Sequence, residues 1–125
     1  ETQSHTGSPI YHTDVLMYVG TDIIGICFDV IKPEHLDYVK EKVNQYHQVI
    51  ELSADQIKSF CGNAIEAQNE DGELFLIISS TAYKELNQTQ LDKLLSSYND
   101  IIHSDIPTIE KYGGGSARCM LTELF

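Results

Sequence analysis

The sequence predicts a mixed α/β fold made of two copies of one strand-strand-helix-strand-helix unit. Three observations lead there: an internal repeat at constant offset, a change within each copy from strand-like apolar runs to helical spacing, and glycine-centred turns between those segments. The repeat pairs Gly20 with Gly72, Ile26 with Ile78, Val39 with Leu91, Val43 with Leu95, Tyr46 with Tyr98, Ile50 with Ile102, Phe60 with Tyr112 and Gly62 with Gly114, each pair 52 residues apart (98 − 46 = 52). Apolar coincidences are common, but a gapless register that also aligns glycines and tyrosines is a stronger signal.

In the first copy, 14–19 and 23–30 are strand-like runs around Gly20-Thr21, a hairpin signal. Pro33 then opens a helix on which Leu36, Val39, Val43 and Tyr46 recur along one face. A short buried strand follows at 49–52, and one or two helical turns at 54–60 stop at Gly62. The second copy repeats the order with strands at 64–69 and 74–80 about Asp71-Gly72, a helix at 90–98, a strand at 100–103 and a turn at 107–112. Gly113, Gly114 and Gly115 end it, and 116–125 reads as the opening strand of a further copy. The units are therefore 12–62 and 64–114, with a final strand at 116–125. Such a unit cannot bury both faces of its sheet alone, so the array is expected to stack or close around an axis. Its open flank calls for missing N-terminal units or for self-association.

Composition narrows the function. A length of 125 residues with 42% hydrophobic residues suits one compact domain, and no apolar run is long enough to span a bilayer. Nineteen acidic residues against 8 basic ones give a formal charge of −11, which argues against nucleic acid and anionic membranes as partners. Cys27, Cys61 and Cys119 show no C-x-x-C spacing, so neither a disulfide framework nor a metal site is expected, and a reducing cytoplasm fits. The polar stretch 1–8 has no signal-peptide character and no initiator Met, so the chain reads as part of something longer.

Within the repeat, His12, Ala64 and Ser116 are successive members of one series, and Cys119 lies just beyond Ser116. His12 and Cys119 are therefore expected near the same end of equivalent strands. Together they would make an activated nucleophile, the imidazole taking the thiol proton and returning it to a leaving group. Arg118 would favour the thiolate, and the glycine triplet would allow close approach of a ligand. Asp14, on the same side of a strand as His12, would accept from a planar guanidinium. Taken alone, Cys119 would read as a small core residue, as Cys27 and Cys61 do.

The segment Gly113-Gly114-Gly115-Ser116-Ala117-Arg118-Cys119-Met120 resembles the C-terminal nucleophile motif of arginine deiminases and their relatives. His12-Thr13-Asp14 resembles the His-x-Asp motif of the same guanidino-group-modifying (pentein) superfamily. The wider pattern, with Ile10-Tyr11-His12 and Cys61-Gly62-Asn63-Ala64, is most similar to bacterial citrulline hydrolases of the amidinotransferase type. The resemblance covers nearly the whole chain. It implies two units of a pseudo-fivefold α/β propeller, incomplete here, since members are more than twice as long and draw further acidic residues from N-terminal units. It implies Cys119 as nucleophile, His12 as general acid/base and Asp14 as the carboxylate that holds the guanidinium or ureido group; Asn63, where a substrate-facing strand would begin, and Arg118, by its charge, are further substrate-binding candidates. The expected activity is cofactor-free hydrolysis of a guanidino or ureido group through a thiol-bound intermediate, the isolated piece being inactive. An amidinotransferase would admit an amine in place of water, and a non-catalytic binding or regulatory module on the same fold would lack the Cys/His chemistry.

Overall fold

A computed structural model describes Ile10 and residues 12–122. The polar stretch 1–8, Tyr11 of the histidine motif and the last positions of the expected final strand, 123–125, lie outside the described residues. The chain runs β1 (Met17–Val19), β2 (Ile23–Ile26), α1 (Pro33–Tyr46), β3 (Gln48–Glu51), α2 (Ala54–Lys58), β4 (Ile65–Gln68), β5 (Leu74–Ser79), α3 (Ser80–Glu85), α4 (Gln88–Leu95), β6 (Asp100–Ser104) and α5 (Pro107–Tyr112). Among the described residues, 3-10 turns also occur at Thr13–Val15, Phe28–Val30 and Arg118–Met120.

These elements form an α/β structure with two three-stranded sheets, ordered β1-β2-β3 and β4-β5-β6. In each, the central strand is antiparallel to the preceding strand and parallel to the following one. A parallel neighbour requires a crossover, supplied by α1 in the first sheet and by α3 and α4 in the second. Burial of all four β2 residues accounts for the unbroken apolar run Ile23–Ile26. Ile23, Ile26, Ile50, Leu52, Leu76 and Leu94 are the largest apolar side chains fully out of water, each worth about 1.5–3 kcal/mol by transfer.

Local signals explain the helix starts. Pro33 occupies the first turn of α1, while Ser53 and Asn87 close capping boxes with Gln56 and Gln90 at the heads of α2 and α4. The Ser79 hydroxyl accepts from the Ala82 amide at 3.1 Å and starts α3, a helix that apolar spacing did not reveal because it is only six residues long. No residue of α1 is buried: Leu36, Val39 and Val43 pack half-buried against the core, and Tyr38 and Tyr46 face solvent.

The 52-residue register holds across the parallel strands and breaks in the hairpins. Ile24 pairs with Val49 as Leu76 pairs with Ile101, both members displaced by 52. In the hairpins, however, Ile24 faces Val19 whereas Leu76 faces Glu66, an offset of 66 − 19 = 47. The second hairpin is longer, with its tip at 69–73, where Asn69 Oδ1 accepts from the amides of Asp71 and Glu73. His12 is therefore not the counterpart of Ala64.

Two expected strands are turns. Residues 13–15 form a 3-10 turn before β1, so His12 and Asp14 do not share a strand face. Residues 118–120 form another, with the amides of Cys119, Met120 and Leu121 bonded to carbonyls three residues back. Local hydrogen bonds there replace those that a neighbouring strand would provide.

Polar contacts join the two units. The Gln56 and Gln90 side chains form a reciprocal amide pair, Gln56 Nε2 donating to Gln90 Oε1 at 2.8 Å and Gln90 Nε2 to Gln56 Oε1 at 3.1 Å. Each also donates across the junction to a carbonyl, of Glu85 and Glu51 respectively, both at 2.8 Å. At the other end, the Glu66 carboxylate accepts from the Thr21 amide at 2.9 Å and its hydroxyl at 2.7 Å. Because a buried amide that loses its partner costs about 1–3 kcal/mol, Gln56→Ala and Gln90→Ala should each destabilise the chain by about that amount. The double variant should cost less than the sum of the two, as read from urea unfolding; strict additivity would contradict the pairing.

Candidate active site

The site is organised by Asn63, in the link between α2 and β4. The backbone reaches it through Phe60, whose φ of 65° places a non-glycine residue in the left-handed region, and through Gly62. A Cβ at Gly62 would lie 2.6 Å from the Val15 carbonyl oxygen, so glycine is what lets this link pack onto the 13–15 turn. Asn63 is buried, and its side chain makes three hydrogen bonds at once. Oδ1 accepts from the Ser116 amide at 3.0 Å, while Nδ2 donates to the Asp14 carbonyl at 3.2 Å and to Cys119 Sγ at 3.2 Å. The Asn63 carbonyl accepts from the Arg118 amide at 3.4 Å.

The 3-10 turn at Arg118–Met120 brings Cys119 back over the glycines. A Cβ at Gly115 would sit 2.5 Å from Cys119 Sγ and 2.8 Å from its Cβ, so this glycine makes room for the thiol, and Gly114 takes a φ of 72°. Behind the turn, the fully buried Ser116 donates its hydroxyl to Glu110 Oε1 at 2.8 Å, and Glu110 Oε2 accepts from Thr81 at 2.7 Å. Cys119 is exposed, in contrast to Cys27 and Cys61.

Asp14 lies between thiol and imidazole. Its Oδ1 is 3.7 Å from His12 Nδ1, and the Cys119 thiol donates to Oδ2 at 3.6 Å, a long contact. The turn achieves what strand alternation was expected to achieve, placing both motif side chains on one side. His12, Asp14, Asn63 and Cys119 line one cavity of 330 Å³, walled by Val15, Ile57 and Phe60 and floored by Gly114 and Gly115. Arg118 faces an adjoining, more open space of 780 Å³, which His12 and Asp14 also border. Four of the five sequence-derived residues thus meet at one cavity, and Arg118 is next to it.

The hydrogen-bonding roles of Ser116 and Glu110 carry no sequence signal. Ser116 contributes a backbone amide, which any residue type could present, and Glu110 was one acid among many in an acidic chain. Among the described residues, no group of three or more His, Cys, Asp or Glu side chains is arranged to hold a metal ion, and no helix is long and apolar enough to cross a membrane.

The thiols differ in environment. Burial pushes Cys61 from its ordinary 9.0 up to about 12, and its thiol donates to the Ala82 carbonyl at 3.3 Å. Burial also raises Cys27. At pH 8 in the folded chain, iodoacetamide should modify Cys119 well before the other two, with all three reacting in denaturant; equal rates in the folded state would contradict the assignment. Stability should also fall in alkali. The unfolded Cys61 thiol ionises at lower pH than the folded one, so its contribution is intact below about pH 9 and is lost as pH rises towards 12. Burial raises Tyr18 and Tyr98 as well, which adds to the loss above pH 10. The urea midpoint should be lower at pH 10.5 than at pH 8.5, and an unchanged midpoint would count against this burial.

Comparison with known proteins adds one finding. A search of curated proteins returned no match. A family model described as N,N dimethylarginine dimethylhydrolase, eukaryotic, matches residues 1–125, a pentein-superfamily family that hydrolyses guanidino-group substrates. The match carries the guanidino-modifying theme of the motifs and points it to dimethylarginine; it does not single out citrulline hydrolases. With its whole length matched, the chain belongs to the eukaryotic N,N-dimethylarginine dimethylhydrolase family.

Proposed function

We propose that this chain carries the nucleophilic half of a cysteine hydrolase that acts on the guanidino group of arginine-type substrates, N,N-dimethylarginine first among them. The observation that carries the reading is the convergence of Cys119, His12, Asp14 and Asn63 on one cavity, in a member of a guanidino-hydrolysing family. Asp14 presents a carboxylate beside the thiol, and a planar guanidinium matches a carboxylate's two oxygens. An overall charge of −11 also favours a cationic substrate over an anionic one.

In the proposed reaction the Cys119 thiolate forms a bond to the central guanidino carbon, giving a tetrahedral adduct. The bond to the dimethylamino nitrogen then breaks as His12 delivers its proton, and dimethylamine leaves. His12 next takes a proton from water, which adds to the carbon of the thiol-bound intermediate. Cleavage of the carbon-sulfur bond returns the thiolate and releases citrulline. The balance is one water consumed and one amine released, with no change of oxidation state. Asp14 holds the cation throughout. We further propose that the two units belong to a five-unit α/β propeller, with the site on its axis and the remaining substrate contacts supplied by other units.

The test is turnover by the full-length polypeptide carrying these residues. Dimethylamine release from dimethylarginine should fall about 10⁴-fold or more in Cys119→Ala and about 10²–10⁴-fold in His12→Ala. Cys27→Ala and Cys61→Ala should retain the chemistry once folding has been checked. Dimethylamine release at the parent rate by folded Cys119→Ala would overturn the reading. Ammonia release from citrulline, with dimethylarginine left untouched, would move the substrate class.

A further inference from the structure

Both hydrogens of the Asn63 side-chain amide are engaged, and one of them lies on the sulfur of Cys119. The Ser116 amide must point at an acceptor, which fixes which end of the Asn63 side chain is the oxygen. Both amide hydrogens then lie on the opposite side, one on the Asp14 carbonyl and the other on Cys119 Sγ. The sulfur therefore has a donor on one side, Asn63, and an acceptor on the other, the Asp14 carboxylate.

Ionisation affects these two contacts in opposite directions. With the proton gone, the sulfur has nothing to donate to Asp14. The Asn63 contact becomes a hydrogen bond to an anion, about twice as strong as a neutral one. Burial keeps water from competing for the donor, and the Ser116 amide locks the side chain in the donating orientation. We infer that Asn63 is a catalytic residue that stabilises the Cys119 thiolate through Nδ2, held in place by the Ser116 backbone. The inference rests on Cys119 as nucleophile, but its test reads thiol ionisation and needs no turnover.

The experiment follows alkylation of Cys119 against pH, located by peptide mass, in the full chain. Asn63→Ala removes the donor, and its ionisation midpoint should rise by about one pH unit, with about tenfold less thiolate below the midpoint. Asn63→Asp keeps an acceptor for the Ser116 amide and adds a negative charge, so its midpoint should rise further. A purely structural role would lower the unfolding midpoint and leave the thiol midpoint in place; that result in either folded variant overturns the proposal. Should neither variant fold, the unsubstituted chain supplies the reading. The Asn63 side-chain amide proton resonance should move downfield through the same midpoint as Cys119 alkylation, and a resonance that does not follow the sulfur overturns the proposal. Loss of turnover in Cys119→Ala alongside a Cys119 midpoint unmoved in the Asn63 variants would leave the nucleophile in place and remove only this inference.

Discussion

One buried amide governs the geometry of the site. The Asn63 side chain bonds to the turn before β1 and, after the glycine triplet, to both Ser116 and Cys119, so two stretches distant in sequence meet at a single group. A buried amide is costly to leave unpaired, and a hydrogen bond to a neutral partner contributes only about 0.5–1.5 kcal/mol net. The asymmetry makes Asn63 a specifying group more than a stabilising one. Any arrangement that moved the 13–15 turn or the 118–120 turn away would strand its donors or its acceptor.

The same economy operates between the two units. Gln56 and Gln90 each cap the helix that begins just before them and then use the rest of the amide to reach the other unit. The groups that start α2 and α4 are thus also the groups that join the sheets' helical layers. Thr21 and Glu66 do the same at the hairpin end, where the tip of the first hairpin bonds to β4. Rigid coupling of the units matters because the site is shared: His12 and Asp14 come from before the first sheet, and Cys119 from beyond the second. Glu110, joined to both Thr81 and Ser116, extends the network from α3 through α5 to the cysteine turn.

Periodicity exposed most of this fold but not its exceptions. The central strands, α1 with Pro33 at its head and the parallel register at 52 residues are all legible, because each is set by apolar spacing or a residue with one backbone preference. The displaced hairpin is not, since lengthening a loop leaves the apolar pattern intact while shifting one strand against the next. His12 and Cys119 were expected to meet through equivalent strand positions. They do line one cavity, but on two 3-10 turns gathered by Asn63, whose hydrogen bonds no spacing rule encodes. Residue type pointed to the chemistry, and backbone geometry decides how the groups come together.

The carboxylate of Asp14 lies beside the Cys119 thiol and brings no positive charge of its own to it. It becomes useful when a cation occupies the carboxylate, since the positive charge then lies next to sulfur and the nucleophile faces its electrophile. On the proposed reading, Asp14 gives Cys119 a preference for planar cations. The most direct measurement compares alkylation of Cys119 by a haloacetamidine, which carries an amidinium, with alkylation by the corresponding neutral haloacetamide, in the parent chain and in Asp14→Asn. The cationic reagent should react faster relative to the neutral one in the parent chain, and the preference should collapse in Asp14→Asn. An equal preference in both chains would contradict the assignment of Asp14 and, with it, the guanidino-binding role of this cavity.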